Sequence, residues 1–137
     1  MKTETRFFVR YAETDQMGIV HHSNYAIWFE VGRTDFFIKS GYSNSDFESN
    51  GIMLPLYELS CQFKSPARYG DEVSVVTCLD KVSPVRLVFS YEVYSVSDNK
   101  LLATGKTMHA WTNTSLKPVN VIKKLPAAYS MLTRLLE

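Results

Sequence analysis

Cysteine is scarce in this chain: two residues in 137, Cys61 and Cys78, with no Cys-x-x-Cys spacing and no suitably spaced histidine pair beside them. That argues against a disulfide scaffold or a structural zinc site, and both are expected to pack as small apolar side chains. Long apolar runs are missing too, since none approaches the roughly 20 residues that span a bilayer. The first six residues lack the continuous apolar stretch of a signal peptide. A cytoplasmic protein without membrane insertion is the expectation. Nor is there an excess of either charge. Fifteen basic and 14 acidic residues are interspersed, for a net charge of +1, and no basic stripe stands ready to neutralise phosphates. Nucleic acid is therefore not an expected partner. Repeats, low-complexity tracts and linkers are absent as well.

What is present is ordinary globular composition, 45% hydrophobic and 21% charged. The length suits a single domain over residues 1–137, one able to bury roughly two-thirds of its unfolded surface. Thr5 to Tyr11 reads as an opening strand. Tyr25, Trp28, Phe29, Gly32 and Phe36 follow at helical spacing, so they share one face of a helix over about 23–40. Ser23 or Asn24 is placed to cap its start and Gly41 to close its end. Gly32, costly in a helix interior, points to close backbone approach on that face. Glu30 and Arg33 read as a solvent-side pair.

Residues 41–51 read as turn-rich. The pattern then changes to period two. Tyr57, Leu59, Cys61 and Phe63 alternate with polar neighbours, as do Val73, Val75, Thr77 and Leu79, and then Val85, Leu87, Phe89, Tyr91 and Val93. A fourth segment covers about Leu101 to Thr112. Short turn-bearing separators favour an antiparallel meander of these four strands. Pro126, Ala128, Tyr129, Leu132, Leu135 and Leu136 indicate a short C-terminal helix. A five-strand sheet that buries one face on a single helix leaves two edges, and pairing edges across a dyad would make an oligomer.

Chemistry concentrates between the first strand and the helix. Asp15 sits in a short loop with Gly18, which permits a sharp turn, and the loop runs into the helix start, where backbone N–H groups are unpaired and the dipole is positive. A carboxylate beside an oxyanion-binding terminus suits attack on an activated acyl carbonyl. The carboxylate can attack directly or deprotonate water, and the residues leave both routes open. Asp15 is the first candidate for the catalytic group. His109 reads as structural, and the aromatic stripe from Tyr25 to Phe36 as core.

The spacing of Tyr11, Asp15, Gly18, Val20, His22 and Tyr25 resembles the hotdog-fold acyl-CoA thioesterases of the 4-hydroxybenzoyl-CoA thioesterase type. It is especially similar to the branch that includes the thioesterase encoded near bacterial Tol–Pal genes. Pro66 to Asp71 and Leu102 to Gly105 match the same family. The resemblance implies an α+β hotdog fold, an antiparallel five-stranded sheet wrapped around one long central helix. It also implies hydrolysis of acyl-CoA without a cofactor, by a homodimer or homotetramer. Catalysis would involve Asp15, His22 and Tyr11, with the His22 backbone N–H polarising the thioester oxygen. Gly18, Tyr25 and Arg86 would contact the substrate, with Lys64 and Arg68 as further candidates for the coenzyme phosphates. An acyl-carrier-protein thioesterase and a non-catalytic acyl-binding module are the alternatives.

Overall fold

Tyr25, Trp28, Phe29, Gly32 and Phe36 do lie buried on one face of a single helix in the computed structural model, which describes residues 1–136. The elements are β1 (Lys2–Phe8), a 3-10 turn (Tyr11–Glu13), α1 (Ser23–Ser40), α2 (Asn44–Ser49), β2 (Leu56–Phe63), β3 (Glu72–Val82), β4 (Arg86–Ser95), β5 (Lys100–Ala110), α3 (Val121–Lys124) and α4 (Pro126–Arg134). All five strands join one antiparallel sheet in the order β1-β3-β4-β5-β2. The sheet packs on α1, so the architecture is α+β and of the hotdog type.

Packing explains the helix composition. Phe29 stacks on Tyr91 with ring centroids 4.5 Å apart, and Phe36 meets Phe89 edge-on at 5.4 Å. Trp28 contacts Phe7 at 5.4 Å and Tyr25 at 4.7 Å. Between these rings the backbone itself touches the sheet. A Cβ placed on Gly32 would stand 2.5 Å from Thr77 Oγ1 and 2.9 Å from a Val75 methyl. Glycine is required there because the helix lies that close to β3. Gly41 ends α1 at φ 90°.

Several sequence expectations are corrected. The opening strand ends at Phe8 rather than Tyr11. Beyond it one last in-register bond, from the Val9 N–H to Asp71 O (2.9 Å), ends the pairing with β3, and the chain tightens into the 3-10 turn. Neither Ser23 nor Asn24 caps α1. His22 occupies the cap position without a side-chain bond, while Ser23 Oγ pairs with His21 Nδ1 and the Asn24 amide donates back to Glu13 O. Residues 41–51 include α2, whose start is held by a Ser43–Asp46 capping box.

The meander is also incomplete. Only β3, β4 and β5 run consecutively, whereas β2 sits beyond β5 as an edge strand. The separators before β4 and β5 are tight enough for hairpins. Residues 64–71 instead carry the chain across three strand spacings, roughly 14 Å, a span eight residues cover easily. Arg33 also departs from expectation: its side chain is only 15% exposed, and the contact to Glu30 is a loose 4.0 Å. The guanidinium turns inward, donating to the Tyr91 hydroxyl at 3.4 Å.

Candidate active site

Local hydrogen bonds shape the loop that carries Asp15. Thr14 and Val20 form an antiparallel bridge, and the Asp15 N–H donates to Ile19 O at 2.9 Å. The Gly18 N–H returns to Asp15 O at 3.0 Å, closing a tight turn in which Gly18 takes φ 78°. A side chain at that φ would be strained, so the turn depends on glycine. Asp15 Oδ1 accepts the Met17 N–H at 2.8 Å, which fixes the carboxylate's rotamer. Among the described residues no hydrogen bond engages Oδ2.

The half-buried carboxylate lines a cavity of about 330 Å³. Met17, Ile19 and Val20 of the loop, His22 and Tyr25 of the helix start, and Phe63, Lys64, Ser65 and Pro66 at the end of β2 complete the wall. The cavity thus lies where the α1 N-terminus meets the C-terminal end of the edge strand. A larger depression of about 460 Å³ on the outer face of the sheet offers no comparable chemistry. It is spanned by the Lys106–Asp80 ion pair at 3.2 Å and by Ser90 donating to Asp80.

Backbone amides around the helix start divide unevenly. The N–H of Val20 goes to Ala67 O, of His21 to Glu13 O, of Asn24 to His21 O and of Tyr25 to His22 O. Ser23 N–H meets His21 Nδ1 at 3.2 Å. Within this run, and among the described residues, the His22 N–H alone has no acceptor. It lies at the positive end of an 18-residue helix. One unspent donor and one unspent carboxylate oxygen therefore belong to residues of the same wall.

Neighbouring groups set the surroundings. The His22 ring is exposed and tilted against His21, centroids 4.1 Å apart. Tyr25 is buried against Phe63 and Trp28, and burial pushes its hydroxyl up to about 12, so it stays protonated. Glu13, which sequence reasoning overlooked, is 4% exposed. Burial alone would raise its carboxyl. The Arg10 backbone N–H, the Trp28 indole N–H and the Arg10 guanidinium outweigh that effect and hold it below the ordinary range.

The structure thus brings together Asp15, His22 and Tyr25, with Gly18 shaping the turn and Lys64 at the cavity wall. Tyr11 lies outside. Its ring is 75% exposed and packs edge-on against Tyr69 at 5.7 Å. Arg86 is also elsewhere in the protomer, its guanidinium 5.9 Å above the Tyr57 ring near the start of β2. Arg68 is not part of the cavity wall either.

A helix-wrapped antiparallel sheet with a carboxylate loop at the helix start defines a hotdog hydrolase class, and sequence comparison agrees. Residues 9–129 match the thioesterase-like superfamily, and the chain belongs to that family. It is 35% identical over 118 residues to a putative acyl-CoA thioesterase, YneP, of Bacillus subtilis, covering 86% of each chain. Among solved structures it resembles a DHNA-CoA thioesterase from Staphylococcus aureus with a TM-score of 0.92. That match has 34% identity and covers 97% of this chain and 89% of the other. A hypothetical protein, TT1821, from Thermus thermophilus gives a TM-score of 0.89 at 38% identity over 98% of both chains.

Proposed function

We propose that this protein hydrolyses an acyl-CoA thioester to a free acid and coenzyme A, using its own side chains and no cofactor. The observation that carries this reading is that Asp15, with one carboxylate oxygen unengaged, and His22, with its amide unengaged among the described residues, line the same cavity. Asp15 acts as nucleophile or as general base. In the first route its oxygen bonds to the acyl carbon, the C–S bond breaks with release of the thiolate, and water opens the resulting anhydride. In the second it takes a proton from a water that bonds to the acyl carbon, and the tetrahedral species then breaks its C–S bond, the thiolate leaving and taking up that proton. Both routes place negative charge on the former carbonyl oxygen, where the His22 amide and the α1 dipole stabilise it. A missing donor of this kind typically costs about 3–4 kcal/mol of transition-state stabilisation.

The finer assignment, to the 4-hydroxybenzoyl-CoA thioesterase type and its Tol–Pal-associated branch, rests on the Tyr11–Tyr25 spacing. The acting unit in this reading is a single-domain cytoplasmic homodimer, or a tetramer of two such dimers. Edge strand β2 supports the dimer: Leu56, Tyr57, Leu59 and Phe63 are 39–55% exposed on a strand that pairs with β5 on one side only. Antiparallel pairing of β2 with its own copy would cover them and bring a second chain to the mouth of the Asp15 cavity. No helix of the described residues is long and apolar enough to cross a membrane.

The test is thiol release from a panel of short-chain, medium-chain and aromatic acyl-CoAs, DHNA-CoA among them. Steady-state hydrolysis of at least one member is expected. No release from any of them would reject the reading, and release from acyl carrier protein alone would redirect it.

A further inference from the structure

We infer that Glu13 is the positioning residue of this site, holding the Asp15 turn against the first turns of α1. The kinetic consequences rest on the thioesterase reading, whereas the structural ones stand apart from it. Glu13 receives donors from both sides of the turn. Its Oε1 accepts the Arg10 N–H at 2.9 Å, and its Oε2 accepts the Trp28 Nε1–H at 2.8 Å with Arg10 Nη2 at 3.5 Å. Its main-chain oxygen accepts the His21 N–H at 2.8 Å and the Asn24 side-chain amide at 2.9 Å.

The consequence is geometric. Glu13 precedes Asp15 by two residues, and His21 precedes His22 by one, so the Glu13–His21 bond closes a loop that contains Asp15 and ends beside His22. The side chain then pins that closed loop to Trp28, which is 1% exposed and immobilised among Tyr25 and Phe7. A carboxylate buried to this extent carries a desolvation cost that an apolar side chain would avoid. Packing alone does not call for one. Two convergent N–H donors on separate oxygens do, and only a carboxylate offers an acceptor to each.

Two variants and their combination test the assignment. In Glu13→Gln the amide oxygen replaces only one of the two carboxylate oxygens, so either the Arg10 N–H or the Trp28 N–H faces an NH2 group instead of an acceptor. Trp28→Phe removes the indole donor while keeping an aromatic ring. Each should lower kcat by about tenfold to a hundredfold, the scale of a small misplacement of reacting groups. KM should stay within about twofold, because ground-state binding is not what is lost. The double variant should be no worse than the worse single one, since both cut one linkage. Thermal midpoints should stay above the assay temperature, and the His21 amide should exchange with deuterium faster than in the parent protein. An unchanged kcat in either folded variant, a loss confined to KM, multiplying losses, or unaltered His21 exchange would each overturn the inference. Should the parent protein release no thiol from any acyl-CoA, the thioesterase reading fails by itself and His21 exchange decides the role of Glu13.

Discussion

The hydroxyls of Tyr91 and Thr107 lie 2.6 Å apart beneath α1, both side chains buried. They form the middle of a polar chain through a largely apolar core. Arg33 donates to the Tyr91 oxygen, His109 Nε2 lies 3.0 Å from Thr107 Oγ1, and His109 Nδ1 lies 3.1 Å from Leu54 O. The Leu54 carbonyl can only accept, so Nδ1 carries the proton and Nε2 accepts from Thr107. Tyr91 then donates to Thr107. One direction of donation satisfies every member, and it requires neutral His109.

That requirement makes stability depend on pH. Burial first, and the Arg33 charge in addition, pull His109 down to about 4 from 6.5, against a raising effect of its bond to Leu54. The unfolded chain binds a proton on this histidine below pH 6.5, while the folded one resists until about pH 4. Stability from this group is therefore complete above pH 6.5 and lost as pH falls towards 4. The displacement corresponds to about 3 kcal/mol. His109→Gln should flatten the pH dependence of the urea midpoint in that window. Glu13 and Asp35, both held below the ordinary carboxylate range, act in a more acid window and leave this comparison intact.

Asp15→Asn separates chemistry from loop structure. The amide oxygen can still accept the Met17 N–H, so the turn should persist and the thermal midpoint should hardly move. Nucleophile and base are both gone, and thiol release should fall by about a hundredfold to ten-thousandfold. Substantial residual turnover would remove Asp15 from the reaction.

Gly32→Ala tests the contact that seats α1 on the sheet. The new methyl would meet Thr77 Oγ1 at 2.5 Å and a Val75 methyl at 2.9 Å, so helix or strand must shift. A loss of about 1–3 kcal/mol is expected from overpacking of this kind. Over most of that range it exceeds the roughly 1 kcal/mol that alanine's helix propensity would return. Equilibrium urea unfolding decides it, and a variant as stable as the parent would mean that the interface yields freely.

How far the sequence spoke depended on the kind of order involved. The α1 face was legible because five apolar or small residues at helical spacing admit one arrangement. Helix α2 was not, since Phe47 is its single buried residue and the Ser43–Asp46 capping box lies among other turn formers. Alternation located β2 but could not name its neighbour, because period two is satisfied equally beside β3 or β5. Of the candidate site, Asp15 and Gly18 were readable from the loop before the helix, and His22 and Tyr25 from the family resemblance. Glu13 was not, since its meaning lies in Trp28, fifteen residues on. The availability of the His22 amide is a property of the backbone, silent in any side-chain pattern.

Edge pairing of β2 makes a prediction about assembly. Leu59, 39% exposed near the middle of the strand, would face the dyad region. In Leu59→Asp two like charges would be brought together there, and such juxtaposition costs several kcal/mol. Sedimentation should show a dimer or tetramer for the parent and a shift towards monomer for the variant. A monomeric parent would refute the pairing.

The His22 amide can be tested apart from its imidazole. His22 has φ −56°, close to the value proline imposes, and its N–H serves no intramolecular bond among the described residues. His22→Pro therefore deletes one donor at a helix start where proline is tolerated. Loss of an oxyanion donor predicts a drop in kcat of about a hundredfold to a thousandfold. His22→Ala keeps the N–H and should retain most of the activity if the imidazole is secondary. Equal losses in the two variants would assign the effect to the ring, and an active, folded His22→Pro protein would place the oxyanion on another donor.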